Sequence, residues 1–224
     1  MAGSWHKDEV PIFVLNTDDA PDRLVAVWAD AERLGLRIER VGYVSTDDGQ
    51  RDRLDAHASA WARIADGASR FAIVAEDDVG LDARLLPLLD VPRLARDLAG
   101  GAVVCLNGGP VDHDEVTRIL PASRFPRDCN AYLLDRDTAL SLRDMATDCA
   151  SLPALFTGLS AGGLATMVAT PAPIPGVVHD ENVVEANGLL ARLWRRYRSK
   201  RKASDRSNDG NVPSARMTIA ARRG

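Results

Sequence analysis

The chain has 224 residues, of which 46% are hydrophobic and 27% charged, a balance typical of a globular protein with room for a sizeable core. No apolar run is long enough to span a bilayer, and the first residues lack the apolar core of a signal peptide. The cysteines, Cys105, Cys129 and Cys149, form no CxxC pair, which argues against a disulfide framework or a zinc site. We therefore expect a cytoplasmic protein.

Charge is distributed unevenly along the chain, although the net charge is only −4. Residues 189–224 contain 11 of the 28 basic residues and 2 of the 32 acidic ones. Such an asymmetry is typical of a separate basic tail. We predict one domain over residues 1–188, followed over residues 189–224 by a basic C-terminal helix and a disordered tail.

Apolar runs and helical periodicity alternate along the chain up to about residue 145. The predicted strands are residues 10–15, 36–44, 71–75, 102–106 and 130–134, and the predicted helical regions are residues 19–34, 51–65, 81–89 and 137–145. Residues 111–128 show no period and predict a loop, and residues 151–176 are small, apolar and rich in Gly and Pro. The alternation predicts an α/β fold with a mostly parallel central sheet flanked by helices.

The predicted third strand runs directly into three acids, Glu76, Asp77 and Asp78. The carboxyl ends of strands are where open α/β sheets place their ligands. Three adjacent carboxylates repel one another unless a cation joins them, and Mg²⁺ or Mn²⁺ would also hold a diphosphate. Strict alternation puts Glu76 and Asp78 on one face and Asp77 on the other. A strand that ends in a solvated acidic turn explains the same residues equally well.

A histidine and a tryptophan share the apolar face of the preceding helix. The helical spacing places His57 and Trp61 with Leu54 and Ile64, so that His57 points inward just ahead of the acidic strand. The residues alone favour a core histidine with a satisfied hydrogen bond over a histidine of the site.

Common nucleotide and hydrolase signatures are missing from the sequence. No GxGxxG follows a strand, there is no GxxxxGK[ST], and there is no Gly-x-Ser-x-Gly. A dinucleotide fold, a P-loop and the usual serine hydrolase are therefore not indicated.

Four short motifs together resemble the family 25 glycosyltransferases, the lipooligosaccharide galactosyltransferase type. They are residues 11–16 with 21–24 (Pro-Ile-Phe-Val-Leu-Asn, then Pro-Asp-Arg-Leu), 57–61 (His-x-x-x-Trp), 75–79 (Ala-Glu-Asp-Asp-Val) and 130–136 (Asn-Ala-Tyr-Leu-Leu-Asp-Arg). Their order and spacing agree with the family over about residues 10–182. One difference is Ala56, where the family usually has Ser before the histidine.

The resemblance implies a GT-A fold, a UDP-sugar donor carrying galactose or glucose, and Mn²⁺ or Mg²⁺. It further implies a saccharide acceptor in lipopolysaccharide or another surface glycan. It assigns donor binding to Asn16, Arg23, His57, Trp61 and Asp77, and metal binding to Glu76, Asp78 and His179. His179 is equally well explained as a surface loop histidine.

The catalytic base is the point at which the sequence departs from the family. Members usually carry an acid in a Pro-Val-Asp-like segment, but residues 152–156 are Leu-Pro-Ala-Leu-Phe. The nearest acids are Asp148, Asp180 and Glu181, which we take as the candidate catalytic residues. Either one of these serves, or the acceptor differs, or the chain binds a sugar nucleotide without turnover.

The basic segment 189–202 interleaves apolar and aromatic residues with cations. As a helix it could lie on an anionic membrane, which would place the protein at the inner membrane face. It could equally bind the phosphates of a nucleic acid, which would suit a glycosyltransferase acting on nucleic acid. The residues themselves slightly favour a third arrangement, a helix that packs on the domain with a solvated charged face.

Overall fold

The structure is a computed structural model that describes residues 9–107, 117–122, 126, 129–161, 165–170 and 172–174, without the side chains of 159–161. The chain divides into two units, Met1–Asp180 and Glu181–Gly224, and the described residues all belong to the first. The predicted basic tail lies outside the described residues, so the boundary at residue 188 stays a prediction.

Strands and helices alternate through the described residues. They are β1 (Ile12–Thr17), α1 (Pro21–Leu34), β2 (Ile38–Tyr43), α2 (Gly49–Asp66), β3 (Phe71–Glu76), a 3₁₀ helix (Ala83–Leu89), α3 (Val91–Asp97), β4 (Ala102–Cys105), β5 (Arg118–Pro121), β6 (Ala131–Asp135), α4 (Arg136–Ala146), α5 (Leu152–Ala161) and β7 (Ala165–Thr170). Of the helices described, none has the length and apolar character needed to cross a membrane.

The strands form one sheet in the order β2-β1-β3-β6-β4-β7-β5. Strands β1, β2, β3, β4 and β7 run in one direction, while β6 and β5 run in the other. The predicted fold class, an α/β domain with a mostly parallel sheet flanked by helices, is confirmed. Because β6 is inserted antiparallel between β3 and β4, its amino end lies beside the carboxyl end of β3.

Local chemistry explains where the first two helices begin and end. Helix α1 starts at Pro21, whose missing N–H costs nothing at that position, and ends at Gly35, which adopts a left-handed φ of 64°. Helix α2 begins after Asp48, whose side chain accepts a hydrogen bond from the Arg51 amide.

Both faces of the central strands are covered, which explains why their sequences are continuously apolar. Phe13 and Leu15 of β1 belong to a core shared with α2, α4 and α5. The alternate residues, Ile12 and Val14, are equally buried on the opposite face. Glu76 is the first residue of β3 that is not buried, so the strand's polar groups appear at the edge of the sheet.

Four elements are absent from the sequence-based prediction, and the first of them is helix α3 (Val91–Asp97). Residues 118–121 form β5 where a loop was expected, and the small-residue segment 151–176 contains α5 and β7. Strand β5 is a mostly exposed edge strand that pairs antiparallel with β7, and β7 in turn pairs with β4. These short strands form because of non-local pairing, which leaves little pattern in the local sequence.

Candidate functional site

The polar side chains of the domain gather where β1 and β3 end and β6 begins. Strand β3 ends at Glu76, and the chain then turns through Asp77 and Asp78. Each of the three carboxylates is directed to a different set of partners. The site is therefore three adjoining pairings rather than one shared cluster of acids.

Asp77 is held by residues of β1 and α1. One carboxylate oxygen accepts a hydrogen bond of 2.6 Å from Asn16 Nδ2, and the other lies 3.2 Å from Nη1 of Arg23. Burial raises the pKa of Asp77, an effect that the Asn16 and Arg23 contacts oppose and that neighbouring Asp78 reinforces. Arg23 remains 54% exposed, so its guanidinium can still meet a ligand from solution.

Asn16 is fully buried and every part of its amide is used. Its Nδ2 also donates to the carbonyl of Ala20 at 2.8 Å, and its Oδ1 accepts from Nε of Arg40 at 2.9 Å. Arg40 is itself mostly buried and contacts Asp18 as well. The guanidinium of Arg40 lies over Gly42, where a Cβ would come within 2.8 Å of it.

Glu76 faces α2, and Arg53 and His57 of that helix lie next to its carboxylate. Oε1 accepts hydrogen bonds from Nε of Arg53 at 2.7 Å and from Nη2 of the same guanidinium. Burial alone would raise the pKa of Glu76, but His57 and Arg53 outweigh it and lower the pKa. Glu76 is therefore an ionised carboxylate already neutralised by a neighbouring cation.

Beneath Glu76 lies a buried network of three aromatic side chains. The Tyr132 hydroxyl accepts a hydrogen bond of 2.9 Å from Nε1 of Trp61 and lies 2.7 Å from Nδ1 of His57. When the hydroxyl donates this hydrogen bond, Nδ1 is the acceptor and the proton of the neutral ring is on Nε2. Nε2 is 3.6 Å from Oε1 of Glu76 and has no hydrogen-bond partner in the described part of the chain. Burial lowers the pKa of His57, so we assign the neutral ring.

Asp78 is turned toward β6. Its Oδ2 accepts a hydrogen bond of 3.1 Å from Nδ2 of Asn130, while its Oδ1 is buried and has no hydrogen-bond partner among the residues that the structure describes. Asn130 also accepts from Arg53 at 3.4 Å, so the pairings of Glu76 and Asp78 are linked.

The fit of this site to a divalent metal rests on Asp78. Within the described ranges, no group of three His, Cys, Asp or Glu side chains is arranged to hold a metal ion. The buried Oδ1 of Asp78, which has no hydrogen-bond partner in the described ranges, is nevertheless a hard oxygen donor of the kind that Mg²⁺ and Mn²⁺ take. Glu76 fits less well because its Oε1 is already occupied by Arg53. Further ligands would have to come from substrate, from water or from residues outside the described ranges.

The predicted site residues divide into three groups. Those placed at this edge of the sheet are Asn16, Arg23, His57, Trp61, Glu76, Asp77 and Asp78. His57 and Trp61 are fully buried, so any role they have toward a ligand is indirect, as the floor beneath Glu76. His179, Asp180 and Glu181 lie outside the described residues.

Asp148 stands apart from the acidic residues. It is exposed in the turn after α4, and its side chain has no hydrogen bond or ion pair with any described residue. The adjacent carbonyl of Cys149 accepts a hydrogen bond of 3.2 Å from Nη1 of Arg51, which ties this turn to the start of α2. The structure does not bring Asp148 into contact with Glu76, Asp77 or Asp78.

Sequence reasoning missed several residues of the site, chiefly Arg53, Asn130 and Arg40. Arg53 lies one helical turn before His57, so a cation on the face that points to the acidic strand was a signal in the sequence. Asn130 opens a predicted strand, but nothing local shows that this strand runs antiparallel and brings its first residue to Asp78. Arg40 sits within β2 and carried no signal of its own.

A cavity of about 570 Å³ lies at the opposite edge of the sheet. It is bounded by the carboxyl end of β6, the start of α4 and the Gly100-Gly101 turn, with Arg70 and Arg136 among its lining residues. Both arginines are exposed, and Asp135 and Asp137 offset their charge. This cavity is separate from the acidic site.

Comparison with known proteins gives distant structural matches. No protein-family model matches the chain, and no curated protein matches it either. Among solved structures, it is similar to a glycosyltransferase involved in the glycosylation of the major capsid of PBCV-1, with a TM-score of 0.42 and 9% identity over 71% of this chain and 80% of that chain. It is also similar to the inositol-1-phosphate CTP transferase from T. maritima, with a TM-score of 0.37 and 9% identity over 75% of this chain and 69% of that chain.

Both of these proteins are transferases, but likenesses this distant carry no argument about what the present chain binds. The class that the fold defines is an α/β protein with a mixed central sheet flanked by helices.

Proposed function

We propose that this chain is a GT-A-type glycosyltransferase that moves a hexose from a UDP-sugar to a saccharide acceptor with a divalent metal, Mn²⁺ or Mg²⁺. The observation that carries the proposal is a convergence. The four motifs resembling family 25 are far apart in sequence, yet their residues contact one another at one edge of the sheet. Asn16 and Arg23 contact Asp77, His57 approaches Glu76, and Asn130 contacts Asp78.

The charges at this edge suit a diphosphate leaving group. Glycosyl transfer builds negative charge on the departing UDP, and a bound divalent cation supplies Lewis-acid stabilisation of that charge. Asp78 would hold the cation through Oδ1, the carboxylate oxygen that no described residue hydrogen-bonds. The half-exposed guanidinium of Arg23 would add positive charge near the nucleotide, while Asn16 keeps Asp77 in place beside it.

The carboxylate that would act on the acceptor is not among the residues gathered at the site. Transfer needs a carboxylate that deprotonates the acceptor hydroxyl, and the candidates remain Asp148, Asp180 and Glu181. Galactose or glucose as the sugar, a lipopolysaccharide or other surface glycan as the product, and a cytoplasmic location peripheral to the inner membrane follow from the resemblance and the basic tail alone.

The proposal is tested by UDP release from a panel of UDP-sugars with and without Mn²⁺. We expect Asp78→Ala to reduce the metal-dependent rate by about 100-fold or more, because the metal contributes several kcal/mol to the transition state. Asp97→Ala is the matched control, since Asp97 is an exposed acid paired with Arg93 on α3. Equal rates for the wild type and Asp78→Ala would refute the assignment of the site.

A second candidate is a protein that binds a sugar nucleotide without turnover. The exposed position of Asp148, with no contact to the acidic residues, favours it. Binding of UDP by calorimetry, with neither hydrolysis nor transfer for any acceptor, would support this candidate over the enzyme.

The donor itself can be found by a thermal-shift screen. A ligand that binds only the folded state raises its stability according to the ratio of its concentration to its dissociation constant. A shift with one UDP-sugar that requires Mn²⁺ would name the donor. The nucleic-acid alternative predicts salt-sensitive retention on DNA that is lost on deletion of residues 189–224.

A further inference from the structure

Asn130 lies between the two pairings that hold Glu76 and Asp78. Its Nδ2 is 3.1 Å from Oδ2 of Asp78, and its Oδ1 is 3.4 Å from Nη2 of Arg53. A guanidinium can only donate and an ionised carboxylate can only accept, so the amide has one orientation that satisfies both neighbours. The side chain of Asn130 is thus oriented by charge on both sides.

The backbone of Asn130 is fixed as well. Its carbonyl accepts a hydrogen bond of 2.8 Å from the Glu76 amide, which joins β6 to the last residue of β3. Its amide donates to Oδ1 of Asn107 at 3.1 Å, and the next amide, that of Ala131, donates to the same oxygen at 3.2 Å. Asn130 is therefore held from the side of β3 and from the end of β4.

This arrangement gives the two carboxylate oxygens of Asp78 different surroundings. Oδ2 is occupied by the Asn130 amide, and Oδ1 is left without a partner in the described part of the chain. We infer that Asn130 is a positioning residue that fixes Asp78 so that only Oδ1 is presented to the divalent metal. The inference rests on the proposed function, because it assumes that a metal binds at Asp78.

The test measures binding of Mn²⁺ alone to the full chain, by the electron paramagnetic resonance signal of the free ion. Asn130→Leu keeps the approximate size of the side chain but removes the donor, and we expect it to weaken Mn²⁺ binding by about 10–100-fold, the usual loss when an outer-shell partner of a metal ligand is removed. Asn130→Ala removes the same donor without adding branches, so a packing failure of the leucine variant does not decide the result. Thr138→Val is the control, because Thr138 is a buried polar residue in the first turn of α4, which follows the carboxyl end of β6.

A second readout separates positioning from a general loss of stability. The relaxation of water protons on bound Mn²⁺ reports how many water molecules the ion retains. Without Asn130, both oxygens of Asp78 become free to reach the ion, so the number of retained waters is expected to fall by about one. A purely structural defect lowers the melting temperature but leaves that number unchanged.

The possible outcomes distinguish the inference from the proposed function. If the wild type binds Mn²⁺ and the hydration of the bound ion is unchanged in both Asn130 variants, whatever their affinity, the inference is overturned and the proposed function stands. No binding of Mn²⁺ by the wild type, with or without UDP, removes the metal from the proposed function and the inference with it.

Discussion

Removing one hydroxyl group from the core tests the buried network beneath the site. Tyr132→Phe keeps the ring, which stacks on His57 and meets Phe156 edge-on, but it deletes the oxygen that serves both His57 and Trp61. Both partners are fully buried, so water cannot replace the lost contacts. A buried polar group without a partner costs about 1–3 kcal/mol, and two such groups, offset by the easier burial of Phe, predict a loss of about 2–4 kcal/mol.

Equilibrium unfolding in urea measures this loss directly. Tyr43→Phe makes the same chemical change at a partly exposed tyrosine at the end of β2 whose hydroxyl has no hydrogen bond with a described residue, so we expect a change within about 0.5 kcal/mol. A loss below about 1 kcal/mol for Tyr132→Phe would refute the reasoning, since the two orphaned groups would then have found other partners.

Two further predictions concern His57 of this network and Gly42, which lies under Arg40. Burial lowers the pKa of His57 from its ordinary 6.5, so below that pH the unfolded chain binds a proton that the folded chain does not. The free energy of unfolding should therefore fall as pH drops from 7.5 to 5.5, by at most about 1.4 kcal/mol per pH unit. His57→Phe should reduce that slope in urea unfolding at several pH values. Identical slopes for the wild type and the variant would contradict the assignment of a neutral His57 ring. Gly42→Ala should destabilise the fold by about 1–3 kcal/mol in urea unfolding, because the added Cβ moves the guanidinium of Arg40 and breaks its hydrogen bond to Oδ1 of the buried Asn16. Gly49→Ala, with nothing within 4 Å of the added carbon, should be close to neutral, and equal losses in both variants would rule out the clash.

Much of the first half of the fold could be predicted from the sequence. Helix α1 follows from its apolar period, its proline and its closing glycine, and β1 and β3 follow from continuous apolar runs. Strand β6 and helix α4 were predicted as well, but β5, β7 and α5 were not. The strands β5 and β7 depend on pairing partners far away in the chain, and α5 lies in a segment rich in Gly and Pro.

The same division holds for the site. Glu76, Asp77 and Asp78 were found from sequence, because three acids directly after a buried strand are a local signal. The partners of each acid were not, since Arg53 and Asn130 come from a helix before the strand and a strand well after it. Alternation along β3 predicts that Glu76 and Asp77 point apart, but it does not say what either one meets.

The sequence by itself determined which residues form the central strands and where the acids stand, because burial period and chain polarity are encoded locally. Only the tertiary structure decided that β6 enters the sheet antiparallel and brings Asn130 to Asp78, leaving one carboxylate oxygen without a hydrogen-bond partner among the described residues. Strand pairing decides this placement, and the residues of β3 and β4 that pair with β6 are about 27 to 64 positions away from their partners along the chain.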